Sequence, residues 1–141
     1  MTTSPEPKLS DFGAQRHLAR ERALEIYYEA SVKERPLADV VSELASAPDS
    51  YTLVLLGSVI ENERVTRELI SKNLIDWTFE RIALVDRLVL TLALSELMLD
   101  EAPPRAVVLD EAVELAKVFS TEQSPSFVNG VLTACADELH L

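Results

Sequence analysis

Arg16, His17 and Arg20 place two permanent cations and an imidazole within one stretch of five residues. Arginine suits a phosphodiester because its planar fork donates two hydrogen bonds to one pair of oxygens and keeps its charge. A spacing of four sets Arg16 and Arg20 one helical turn apart, over neighbouring phosphates. Tyr28 adds a ring on which an unstacked base can pack, and it reads equally as a half-buried core tyrosine. On chemistry alone the cations are ordinary solvated charges, with Arg20 pairing to Glu21 or Glu25. A second group, Gln123, Ser124, Phe127 and Asn129, falls where a polar turn opens an apolar stripe, and exposed amides at a helix start favour phosphate. Phe127 is alternatively the first core residue of that helix, and Asn129 a local backbone partner. A third group, Glu80, Arg81, Asp86 and Arg87, alternates in sign, as a docking rim or a solvated face does.

Catalytic chemistry has little support. His17 and His140 stand at opposite ends of the chain. Cys135 reads as a small core residue. There is no glycine-rich phosphate loop and no H-E-x-x-H. The adjacent pair Asp110–Glu111 diverges on a helix. No enzyme, cofactor or metal is expected.

The elements that must position these groups are helices. Val108, Ala112, Leu115 and Phe119 recur at offsets of 0, 4, 7 and 11, one face of a helix. Ser124 then Pro125 signals a helix start: a hydroxyl acceptor for orphan amides, then a ring with φ preset. Upstream, Ser10 or Asp11 opens a first helix running to about Arg35, before Pro36. Ala19, Ala23, Ile26, Tyr27 and Ala30 form its apolar stripe. Arg20, Leu24, His17 and Tyr28 share one flank half out of the core, with Arg16 at its edge. A short helix spans Pro36 to Ala45. A long one spans Tyr51 to Leu74, with Leu55, Leu56, Val59, Val65, Leu69 and Ile70 inward and Gly57 permitting a close crossing. A short element holds Phe79 and Trp77, the latter read as a core anchor. Leu84 to Leu99 is apolar nearly all round and belongs at the centre of a bundle; Glu96 beside it needs a partner. The fold class is all-α: one domain of six or seven helices over residues 10–141, after a flexible arm at 1–9.

Composition fits this. The chain has 141 residues, 48% hydrophobic, and a single cysteine, which excludes an intramolecular disulfide. Residues 1–9 do not form a signal peptide, and the longest apolar run, Leu88 to Leu94, is too short for a bilayer. A soluble cytoplasmic protein is expected, with no membrane contact. Net charge is −11, which opposes nucleic acid. Yet residues 1–35 balance six bases against six acids, so the whole acidic excess lies in 36–141. RNA binding therefore needs a local patch working against a repulsive field.

The literal residues carry a resemblance. EAVELAK (111–117), a polar turn and FVNGV (127–131) resemble the C-terminal signature of the NusB family of transcription antitermination factors. Trp77, Arg81-Ile82, Val85-Asp86-Arg87, Leu90, Leu92-Ala93 and Glu96-Leu97 fit that family's central run. Ala19-Arg20, Ala23-Leu24 and Tyr28 fit its first helix. The resemblance implies a helical protein that binds boxA-type single-stranded RNA in nascent, especially ribosomal, transcripts. It does so with the ribosomal protein NusE, and the pair makes RNA polymerase resistant to termination. The RNA residues implied are Arg16, His17, Arg20, Tyr28, Gln123, Ser124, Phe127 and Asn129. Those implied for NusE are Glu80, Arg81, Asp86 and Arg87. Two departures matter. The family places two consecutive arginines where this chain has Arg16-His17, which weakens RNA affinity or ties it to pH. It often has a carboxylate at Gln123, whose absence lessens repulsion. Asp110 also stands where the family more often has Asn. The alternative is a helical interaction module, binding NusE or itself as a homodimer, that has lost or weakened RNA binding.

Overall fold

The computed structural model describes residues 9–141. All but the last residue of the expected arm lies outside them, and Leu9 is already helical. Seven α-helices and one 3-10 turn follow, with no strand among the described residues: α1 (Leu9–Val32), α2 (Leu37–Ser42), α3 (Ser50–Glu61), α4 (Glu63–Lys72), the 3-10 turn (Phe79–Arg81), α5 (Leu84–Leu97), α6 (Arg105–Phe119) and α7 (Ser124–Leu139).

α5 is the axis. Every residue from Leu88 to Leu97 is buried, because α1, α3, α4, α6 and α7 all pack on it. Burial all round explains why the sequence there shows no polar face. α1 runs antiparallel to α5: Arg20 meets the C-terminal Glu96, and Tyr27 meets Thr91. Ala19, Ala23, Ile26 and Ala30 are buried as their spacing predicts. Cys135 is buried against Leu69 of α4, and burial pushes its thiol up to about 11.

Several expectations are corrected. α1 ends at Val32 rather than Arg35, because Glu34 turns left-handed (φ 52) and the Arg35 amide reaches back to the Ala30 carbonyl at 2.9 Å, a Schellman closure. The long helix expected over 51–74 breaks at Asn62. The Asn62 side chain donates to the Ser58 carbonyl (2.8 Å) and Oγ (3.1 Å), so it competes with the backbone ladder. After the break Thr66, Leu69 and Ile70 turn inward and Val65 is left exposed. Gly57 faces open space, so it serves no close crossing. Trp77 is no core anchor. It precedes the 3-10 turn, next to left-handed Asp76, and is 59% exposed. Phe119 is the last residue of α6 and is exposed, while Ala116 fills the seam one turn earlier.

Candidate nucleic-acid interface

The cationic cluster forms where α1, α3, α5 and α6 meet. Arg20 is buried. Its Nε donates to Glu96 Oε1 at 2.9 Å and its Nη2 to Oε2 at 2.8 Å, while Nη1 lies 3.5 Å from Glu111. The pair joins residues 76 apart, not the neighbours Glu21 or Glu25. Two-point contact offsets the cost of desolvating both charges. The Tyr51 hydroxyl, from the first turn of α3, also donates to Glu96; burial and then that carboxylate push its pKa up. His17 sits between Glu111 (Nδ1 to Oε2, 2.7 Å) and Glu21 (Nε2 to Oε1, 2.9 Å). The hydrogen bond with Glu111 holds its pKa above the ordinary value, against the pull of burial. Glu111 thus faces the cluster rather than solvent.

Arg16 is held differently. The ion pairs formed among the described residues leave it out. Its guanidinium carbon lies 3.6 Å from the centroid of the Tyr51 ring and 4.6 Å from that of Phe12, one helical turn back. Leu24, expected on the half-exposed flank with Arg20, is buried, while Tyr28 is exposed. The flank therefore tilts into the core at its middle.

The second cluster lies at the other end of α5. A groove of ≈ 360 Å³ is lined by Trp77, Arg81, Asp86, Gln123, Ser124 and Phe127, among others. Asp86, in the first turn of α5, is buried and accepts a 2.5 Å hydrogen bond from Ser120 Oγ. Ser124 corrects its expected role. Its Oγ accepts from the Thr121 amide (3.1 Å) and donates to Ser120 (2.9 Å), so it ties the loop instead of capping α7. Gln123 occupies the cap position, without a side-chain cap bond, and is exposed. Phe127 packs half-buried against the core. Asn129 is exposed, and its carbonyl accepts from Thr133.

The expected rim therefore divides. Arg81 and Asp86 face this groove. Arg87 lines a second cleft of ≈ 560 Å³ with Tyr27, Arg35, Arg67 and Phe79. Glu80 pairs with Arg67 at its edge. The region at the start of α7 does not pack beside α1; α5 intervenes. From Glu96 to Asp86 is ten residues of helix, about 15 Å at ~1.5 Å per residue. Sequence reasoning missed Tyr51, Phe12 and the exposure of Trp77. The first two partnerships depend on tertiary contact or side-chain direction. The third had a signal in the breaker-like Asp76 beside it.

Seven helices around a buried axis, with polar clusters at its two ends and no strand among the described residues, define an all-α bundle. The NusB family model matches residues 17–137. Among curated relatives, the transcription antitermination protein NusB of Saccharopolyspora erythraea is 42% identical over 124 residues, covering 83% of each chain. That of Oceanobacillus iheyensis is 39% identical over 120 residues, covering 84% of this chain and 95% of the relative. T. maritima NusB superposes with a TM-score of 0.78 at 32% identity, over 87% of this chain and 91% of that one. A structure of antitermination factors NusB and NusE in complex with dsRNA contains a chain that superposes at 0.73 with 25% identity, over 87% and 96%. The chain belongs to the NusB family.

Proposed function

We infer that this protein is a transcription antitermination factor that binds boxA-type single-stranded RNA in nascent, especially ribosomal, transcripts together with NusE, as part of the antitermination complex on RNA polymerase. No bond is made or broken, and no cofactor is needed. The observation that supports this most directly is the likeness to a chain from a structure of NusB and NusE in complex with dsRNA. Arg16 supplies the phosphate contact, since its donor edge is not committed to a carboxylate among the described residues. Tyr28, Gln123, Phe127 and Asn129 supply ring and amide contacts. Arg20 and Ser124 act from behind, by fixing α1 and the α6–α7 turn. Glu80, Arg81, Asp86 and Arg87 contribute to the NusE surface, Asp86 through the loop it anchors. The cytoplasm is its place of action; no described helix is long and apolar enough to cross a membrane.

One observation favours the second reading, a NusE-binding or self-associating module with weakened RNA affinity. Of the four expected contacts on α1, Arg20 is buried and His17 is engaged by two carboxylates. The deciding measurement is binding of labelled boxA-like RNA, with and without NusE, across a salt series. The RNA reading expects affinity enhanced by NusE, and a salt slope that shrinks by about 0.7 in Arg16→Ala, the share of one phosphate on a single strand. NusE binding without any RNA binding supports the module. Loss of both sinks the antitermination role.

A further inference from the structure

We propose that Tyr51 is a positioning residue for RNA: its ring holds the Arg16 guanidinium edge-out, ready for a phosphodiester. The proposal rests on the RNA reading above and deepens it. A guanidinium carries its N–H donors in its own plane, so a ring against its face occupies none of them. Tyr51 lies 3.6 Å from the Arg16 carbon, and Phe12 adds a second ring 4.6 Å away. A carboxylate at that place would spend the donors instead, as happens to Arg22 with Glu25, Lys33 with Glu29 and Arg35 with Glu43. In a chain of net charge −11, a neutral ring is the support that leaves a cation available.

Tyr51 is itself fixed at two points, its hydroxyl and its amide. Its hydroxyl donates to Glu96 on α5. Glu96 is clamped by Arg20 of α1. The Tyr51 amide donates to Asp49 Oδ1, the cap of α3, at 2.8 Å. The Arg20–Glu96 pair, too deep to touch RNA, thus sets the ring on which the half-buried Arg16 rests. A long flexible side chain held before binding loses less freedom on binding.

The test uses the full chain, a labelled boxA-like single-stranded RNA and NusE, with Tyr51→Leu, Tyr51→Phe, Arg16→Ala and the Leu/Ala double variant. Tyr51→Leu should weaken RNA roughly three- to tenfold, and add nothing once Arg16 is alanine. Tyr51→Phe keeps the ring and should retain most of the affinity, although losing the hydroxyl lowers the melting temperature. In nitrogen-15 NMR spectra of the free protein, the Arg16 Nε–H signal should be shifted by the ring in wild type and Tyr51→Phe, and lose that shift in Tyr51→Leu. An unchanged affinity in a folded Tyr51→Leu, a full loss in Tyr51→Phe, or additive effects of the Leu and Ala changes would each overturn the proposal while RNA binding stands. If wild type binds no RNA, or Arg16→Ala changes nothing, the RNA reading of α1 falls and the proposal with it.

Discussion

At the scale of the residue, the Arg20–Glu96 pair carries the sharpest consequences. Arg20→Ala leaves a buried carboxylate with its main counter-charge gone, which should destabilise the fold by about 3–5 kcal/mol; urea unfolding checks this. Replacing both partners with apolar residues should restore much of the loss, because no orphaned charge remains. His17 gives a pH signature. A group whose folded pKa is raised stabilises the fold below its unfolded value near 6.5, and ceases to as pH climbs through the raised one. The wild-type advantage over His17→Gln in urea midpoint should therefore be largest in acid and fade toward alkaline pH. The groups facing the ring are Glu21 and Glu111, with Arg20 on the far side of Glu111. An advantage that grows with pH would show that the two carboxylates do not hold the imidazolium. None of this was legible in order along the chain. Glu96 demanded a partner, but nothing near it in sequence named Arg20. His17 looked like a diminished arginine and is held between two carboxylates.

At the scale of the element, local chemistry was readable where it repeats and unreadable where one side chain decides. Val108, Ala112 and Leu115 lie on the buried face their spacing predicts, and α5 is buried as its unbroken apolar run requires. The break at Asn62 escaped because asparagine in a helix interior carries only a modest penalty, and its bond to Ser58 exists only once the turn has formed. The end of α1 escaped because Glu34 takes a left-handed conformation that glycine or asparagine would have announced. The cap of α3 was legible: Pro48-Asp49-Ser50 reads as a break and a cap, and Asp49 accepts from the Tyr51 amide. Asp49→Ala should lower stability by about 1 kcal/mol, measured by thermal melting. It should also loosen the first turn of α3, where Tyr51 sits. A melting temperature equal to wild type would show that packing alone holds that turn.

At the scale of the molecule, α5 joins the two clusters and separates them. Leu90→Ala, at its fully buried centre, should cost about 2–5 kcal/mol and shift both clusters at once; a variant that unfolds with an unchanged midpoint would show that the bundle collapses around the gap. The all-α class was readable from residue types and spacing, and the residues named for both clusters came from the family resemblance, without Tyr51 and Phe12. Their placement was not, since the order of residues along a chain does not say which ends of a buried helix they will flank. That placement sets a length for any stacked strand that is to run along α5 from one cluster to the other. Stacked nucleotides advance ~3.4 Å each along a strand, so the roughly 15 Å of α5 between Asp86 and Glu96 takes about five of them. Oligonucleotides shorter than this should grip one end only and compete poorly, and affinity should step upward, rather than climb evenly, at the length where both ends are first engaged. The central helix would then act as a ruler for its ligand.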